Sequence, residues 1–431
     1  MTYPEAIQFL YGLRWFGTKL GLEQTLRLAE MAGSPHLQLR FIHVAGTNGK
    51  GSTCAMLESI YRTAGLKVGL FTSPHLVAFS ERIQVNRRPI PETDVVRLVR
   101  EIQPLLHQFG SEEHPTFFEV VAVMALRYFA EQGCELVIWE TGLGGRLDAT
   151  NIVTPLASVI TNIQYDHQKW LGETLTSIAT EKAGIIKPGV PALTAAEEPE
   201  GLEVITARAQ ALGSALTTVT RQQAAEPFLA AVHLPLLGEH QRLNAALAAA
   251  TVRQLRPLIP VADAQIKLGL ESVQWAGRLQ VCTRGTSQKV VLDGAHNIAG
   301  VRTLASALLQ YFPGQTPTLV MGILDDKDWP EMCRLLAPLG RRLLLVPVHS
   351  DRTAQPHGLA TICAQANPDA EVVECQSLQQ ALQNSQGDAL VVIAGSLYLV
   401  GEAMEALNLS HTSPSERALN EWGSAPSHAR K

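Results

Sequence analysis

Phe41-Ile42-His43-Val44-Ala45-Gly46-Thr47-Asn48-Gly49-Lys50-Gly51-Ser52-Thr53 reads as an apolar strand, a glycine-rich turn and a helix start. Such a turn wraps backbone N–H groups around a phosphate, with the lysine along the outer oxygens and a hydroxyl on a magnesium ion. Here Gly46, Thr47, Asn48, Gly49, Lys50, Gly51 and Ser52 are the candidate cradle for ATP, and Ser52 is the candidate metal hydroxyl. The loop departs from the common G-x-x-x-x-G-K-[ST] spacing. Val44 stands at the first glycine, and Gly51 separates Lys50 from Ser52. The plainer reading is a strand–turn–helix corner with a surface lysine, but three glycines around one lysine serve no packing purpose there.

The flanking strands bring further polar groups to the same edge. Glu135 to Glu140 is an apolar strand ending in an acid, where a phosphate-binding domain keeps its magnesium carboxylate; a solvated strand-end glutamate is the alternative. Lys67 to Phe71 is a strand that delivers Ser73, within Thr72-Ser73-Pro74-His75-Leu76, to the sheet edge where open α/β proteins bind ligands. Asp166-His167 follows an expected strand from Ala157 to Ile163. For His167 both a hydrogen-bonding and a metal role are open, because magnesium prefers oxygen. Lys182, taken alone, reads as a solvated mid-helix lysine paired with Glu181.

Composition bounds the rest. The chain has 431 residues, 46 % of them apolar, which suits two packed cores better than one. A formal charge of −5 counts against nucleic-acid binding through bulk charge. The six cysteines form no Cys-x-x-Cys pair, so neither a zinc site nor a disulfide framework is indicated. Met1-Thr2-Tyr3-Pro4-Glu5 lacks a basic stretch leading into an apolar run, and no apolar run is long enough to span a bilayer. The expectation is a cytoplasmic protein without membrane or nucleic-acid partners.

Helical patterns over Pro4 to Trp15, Leu22 to Met31, Lys50 to Ala64, Glu92 to Phe109 and Phe117 to Gln132 alternate with the strands and predict a doubly wound, mostly parallel sheet. His233 to Leu237 is expected as a strand before an alanine-rich helix, Asn244 to Gln254. Beyond Ala276, four apolar runs (Val290 to Asp293, Thr318 to Gly322, Arg342 to Val348, Ala389 to Ala394) predict a second α/β unit. Its corners, Asp293-Gly294-Ala295-His296-Asn297 and Gly395-Ser396-Leu397-Tyr398, suit an anion such as an amino-acid carboxylate. Residues 410–431, rich in Ser, Pro, Ala and charge, are expected to be a disordered tail.

The ordered set of motifs resembles the folylpolyglutamate synthase/dihydrofolate synthase family, relatives of the Mur ligases. It comprises Leu20-Gly21-Leu22-Glu23, the loop from His43 to Ser52, Thr72 to Leu76, Glu81-Arg82-Ile83, Thr141 to Asn151, Asp166-His167, Glu181 to Ile185, Asp293 to Asn297 and Gly395 to Tyr398. The resemblance implies an N-terminal P-loop ATPase domain, residues 1–276, and a smaller Rossmann-like C-terminal domain, residues 277–409. It implies ATP and Mg2+ as cofactors, with Ser73, Glu140, His167 and a carbamylated Lys182 at the metal. Asn244, Arg278 and Asp293 would hold ATP. Arg82, His296 and Ser396 would meet the incoming glutamate, and Thr116, Phe117, Phe118, Leu147 and Asp148 the pterin.

The implied reaction is an ATP-dependent ligation of L-glutamate to dihydropteroate or tetrahydrofolate through an acyl phosphate. Lys50 would serve phosphoryl transfer, and His296 or Asp293 would take the amine proton. A monomer acting on small molecules is expected. A monofunctional folylpolyglutamate synthase is the first alternative and a Mur-type peptide ligase the second. Against the latter, the 40 residues before Phe41 leave no room for a separate UDP-binding domain. From another class, the loop would suit a nucleotide-binding switch that ligates nothing.

Overall fold

Strands buried on both faces are apolar at nearly every position, and the phosphate-loop strand is one of these. The structure, a computed structural model, describes residues 1–17 and 20–410. The first sheet has eight strands: β1 Phe41–Ala45, β2 Val68–Phe71, β3 Ile83–Val85, β4 Arg88–Pro89, β5 Leu136–Glu140, β6 Ala157–Ile160, β7 Ala192–Thr194 and β8 Leu216–Thr218. Their order is β4-β3-β2-β5-β1-β6-β7-β8, parallel except where β3 meets β2 and β4. Side chains alternate between two cores. Phe41, Phe71, Val137 and Trp139 face one layer, and Ile42, Val44, Leu70 and Ile138 the other.

A second sheet of six strands follows: β9 Gln280–Arg284, β10 Gln288–Leu292, β11 Thr318–Met321, β12 Arg342–Leu345, β13 Glu371–Glu374 and β14 Leu390–Ala394. Its order is β13-β12-β11-β14-β10-β9, with only β9 antiparallel. This is the expected mixed α/β architecture, with two strands in the second sheet beyond the expected four. His233 to Leu237 is not a strand; it runs as a loop into a helix that begins at Glu239, ahead of the expected Asn244. The Ala157 strand stops at Ile160, so Asp166-His167 sits on a loop well past the sheet edge. The link at Thr18-Lys19 and the expected tail from His411 lie outside the described residues.

The two sheets meet through close backbone approach. Gly401, in the helix Leu397–Ala406, lies against Leu76, whose carbonyl oxygen would stand 2.0 Å from any added Cβ. Val77 enters the core beneath the second sheet, together with Val400 and Leu399. Gly401→Val places a branched side chain where none fits, and overpacking of this kind costs about 1–3 kcal/mol. Urea unfolding followed by circular dichroism is expected to read that loss as a lowered midpoint.

Candidate active site

Strand register assembles the phosphate-loop edge. Val44 lies opposite Glu140 and Phe71 opposite Trp139, which sets Glu140 between the loop and Ser73. The Ser73 N–H donates to Glu140 Oε2 at 3.1 Å. On the other side Ala45 lies opposite Ile160, bringing Thr161 beside Gly46. The Thr161 hydroxyl occupies the space of a Gly46 Cβ, 1.9 Å away, and donates to the Asn48 carbonyl at 2.6 Å. Gly46 (φ 145) and Gly49 (φ 84) both lie where side-chain-bearing residues are rare.

The helix Lys50–Thr63 starts at this turn, and Thr53 N–H closes its first bond to the Gly49 carbonyl. The N–H groups of Lys50, Gly51 and Ser52 therefore lack intrahelical acceptors and face any bound anion. Thr47 and Asn48 direct their N–H groups to Asn162 instead. Lys50 Nζ lies 3.1 Å from the Gly46 carbonyl and 3.2 Å from that of Thr47.

Lys182 is not the solvated partner of Glu181. It is buried, its Nζ donates to the same Gly46 carbonyl at 2.8 Å, and Glu181 pairs with Arg146. Burial, with Lys50 nearby, pulls the Lys182 ammonium down to about 7. Burial pushes Glu140 up to about 7 despite the pull of Lys50. His167, in a left-handed conformation at φ 53, has an exposed side chain beside Asp166, its Nε2 3.9 Å from Asp166 Oδ2. Among the described residues no three acids, histidines or cysteines converge as a metal cage. The buried Glu140 carboxylate with the nearby Ser73 is an oxygen donor set of the sparse kind that suits magnesium, an ion that keeps water and phosphate as further ligands.

Helix Glu239–Gln254 closes over the loop. Asn244 packs on Gly49 and donates to Gln241 Oε1 at 3.1 Å, while Gln241 Nε2 donates to Ser52 Oγ at 3.2 Å. Gln241 is a contact the motifs did not single out. Only its position one helical turn before Asn244 would have marked it.

The second sheet presents its own C-terminal edge. Asp293 directly follows β10, and its carboxylate accepts the N–H groups of Leu279 and Ala295 at 2.8 and 2.9 Å. Arg278 lies beside Gly294, and burial lowers its pKa against the pull of Asp293. His296 Nδ1 sits 2.7 Å from the Gly294 carbonyl. Ser396 is buried, and its hydroxyl caps the helix Leu397–Ala406 by accepting Tyr398 N–H. Across the cleft, Asn297 and Asn48 exchange two amide hydrogen bonds of 3.0 and 3.2 Å.

The expected pterin residues cluster on the other face of the first sheet. Phe117 and Phe118 are buried and pack edge-on or tilted against Phe79 and Phe71. Thr116 is engaged as the N-cap of their helix through Glu119. Leu147 accepts Gly21 N–H, tying the Thr141–Asn151 loop to the N-terminal segment. Asp148 accepts Leu143 N–H and both donors of Thr150, so it shapes its own loop. Arg82 belongs to this patch as well. It donates to His75 Nδ1 at 2.7 Å and stacks 5.4 Å from the Phe117 ring centroid, and its Nη1 is buried without a partner. Burial and Arg14 lower it to about 10, with Tyr398 of the second unit opposing.

Residues 44–252 match the Mur ligase middle domain and residues 277–397 the Mur ligase glutamate ligase domain. A dihydrofolate synthase/folylpolyglutamate synthase of Bacillus subtilis is 35% identical over 94% of this chain and 99% of its own length. The chain belongs to the folylpolyglutamate synthase/dihydrofolate synthase family. Among solved structures, the folylpolyglutamate synthase of Thermotoga maritima superposes with a TM-score of 0.82 at 32% identity, covering 96% of this chain and 99% of that one. E. coli FolC, solved in complex with DHPP and ADP, gives 0.83 at 30% identity, covering 95% and 98%. Members of this family are ATP-dependent ligases.

Gly46→Ala forces a Cβ into the Thr161 hydroxyl and a disfavoured φ, a strain of order 1–3 kcal/mol. Titration with a fluorescent ATP analogue is expected to read at least a roughly tenfold loss of affinity, since the amide cradle shifts as a unit.

Proposed function

We propose that this chain activates the carboxylate of dihydropteroate or of a tetrahydrofolate tail with ATP and joins it to L-glutamate, releasing ADP and phosphate. One juxtaposition supports this most. Lys50, Glu140 and Lys182 surround the Gly46 turn, and the turn's Asn48 is bonded to Asn297 beside His296 on the opposite sheet edge. A phosphoryl donor and an amine held on these two edges would meet in one cleft. The division at residues 276 and 277 then separates the nucleotide-holding part from the amine-holding part.

A carboxylate repels an amine and offers no leaving group; phosphorylation supplies one. Lys50 and the free N–H groups of the first helical turn would stabilise charge moving off the γ-phosphate. Bound Mg2+, held by Glu140, Ser73 and Ser52, with His167 and Lys182 beside it, would neutralise phosphate charge. Among the described residues Lys182 forms no ion pair, and the pull of Asp166 and Asp148 is outweighed by its burial and by Lys50. Carbamylation, in which its neutral amine adds CO2 and loses a proton, would make it an oxygen donor. Asn244, Arg278 and Asp293 would border the rest of the nucleotide.

On the amine side, His296 is the better proton acceptor. A carbonyl only accepts, so Nδ1 carries the hydrogen toward Gly294 and Nε2 keeps its lone pair in the neutral ring. Asp293 has both carboxylate oxygens engaged by backbone N–H groups. Arg82, with an unpartnered buried nitrogen, suits a substrate carboxylate, and Ser396 would shape the same end of the cleft. The aromatic wall of Phe117 and Phe118 beside the Thr116, Leu147 and Asp148 backbone suits a flat pterin. The paired name of the Bacillus relative and the DHPP complex of FolC support action on dihydropteroate as well as tail extension.

An oxygen-18 label in the folate carboxylate is expected to appear in the released phosphate, read by mass spectrometry, and ADP release is expected to require both acid and glutamate. Lys50→Ala is expected to slow ligation by roughly 10²–10³-fold. Unlabelled phosphate, or ADP release indifferent to glutamate, would overturn the reading.

A further inference from the structure

We propose that Lys327 is a positioning residue that ties the amine-side edge to the phosphate loop through Asp166 and keeps the cleft closed while the acyl phosphate waits for the amine. The loop after β11 reads Asp325-Asp326-Lys327-Asp328 and would pass for a solvated charge run. Its three acids are exposed, but Lys327 turns inward. Its Nζ meets Asp166 Oδ1 at 2.6 Å, with the two side chains 10% and 7% exposed. The loop itself is braced: Leu324 bridges to Thr353, Asp325 N–H donates to the Arg352 carbonyl at 2.6 Å, and Arg352 pairs with Asp326.

From Asp166 the connection continues without a gap. Asp166 Oδ2 accepts Asn297 Nδ2 at 2.9 Å. Because an ionised carboxylate only accepts, this fixes the Asn297 amide with its nitrogen toward Asp166 and Asn48 Oδ1, and its oxygen toward Asn48 Nδ2 and Gly300 N–H. Asn48 in turn is anchored by its N–H to Asn162 in the first unit. A continuous path thus runs from Lys327 through Asp166 and Asn297 to the phosphate loop, crossing the cleft three times. His296 Nε2 lies 3.6 Å from the same Asp166 oxygen, so the path also borders the proposed proton acceptor.

Removing the ammonium leaves the buried Asp166 carboxylate with the His167 N–H and the neutral Asn297 amide, and one of the three crossings is lost. The cleft then opens before the amine attacks, and water takes the acyl phosphate. This rests on the ligase reading above. The test compares wild type, Lys327→Met and Lys327→Arg as full chains with ATP, Mg2+, radiolabelled L-glutamate and whichever folate acid the wild type uses. ADP released per glutamate incorporated is expected to be near one in wild type and to rise roughly fivefold or more in Lys327→Met. Lys327→Arg restores most of the coupling, and ADP affinity stays within about twofold throughout. A folded Lys327→Met that remains coupled, or an arginine variant as uncoupled as the methionine one, overturns the proposal. If Lys327→Met fails to fold, Lys327→Gln carries the same measurement. A wild type without glutamate-dependent ADP release would instead overturn the ligase reading beneath it.

Discussion

Two ammonium groups share one carbonyl oxygen: Lys50 and Lys182 both point at Gly46 O, from 3.1 and 2.8 Å. Like charges in a buried site repel, and among the described residues neither lysine bonds to a carboxylate. Glu140 is near enough to be felt, but its Oε2 accepts the Ser73 N–H rather than either ammonium. Such a site is electrostatically incomplete until anionic oxygens enter it. The turn is held in place because β1 is paired on both sides, by β5 and β6, and the Thr161 hydroxyl packs against Gly46.

That constraint dictates the role of the second sheet. The loop stabilises charge on a phosphoryl group but offers nothing to hold a second reactant. The opposing edge carries a histidine whose Nε2 faces Asp166, a buried capping serine and an arginine beside a glycine corner. β10, β14 and β11 are adjacent, so the turns at Asp293, Gly395 and Gly322 open on one side. Gly401 against Leu76 sets the distance between the sheets, which makes a distant glycine part of the site's geometry.

The central strands were legible because they are buried on both faces and apolar throughout. β9 and β13 were not: they are edge strands with alternating or exposed positions, and Glu371-Val372-Val373-Glu374 is too short a run to stand out. His233 to Leu237 misled for the opposite reason, being apolar but without a neighbouring strand and interrupted by Pro235. At the site, Ser73 and Glu140 could be placed at one edge from strand ends alone. Lys182 could not, because the sequence displays only helical neighbours, and its burial follows from the loop folding over it. Gln241 and Lys327 were invisible for the same reason: a glutamine on an alanine-rich helix and a lysine among aspartates look like solvated surface until a tertiary partner is known.

The chemistry of the cleft contact is itself constrained by the nucleotide loop. Asn48 belongs to that loop, so whatever it uses to touch the other unit sits beside the phosphate. An acid there would repel the nucleotide, and a base would compete with Lys50 and slow release of product. A reciprocal pair of neutral amides does neither, yet it supplies two directional bonds. The charged component is displaced by one link, to Lys327 and Asp166, where its field is compensated locally. The arrangement separates recognition of the other unit from recognition of phosphate, although one short turn serves both.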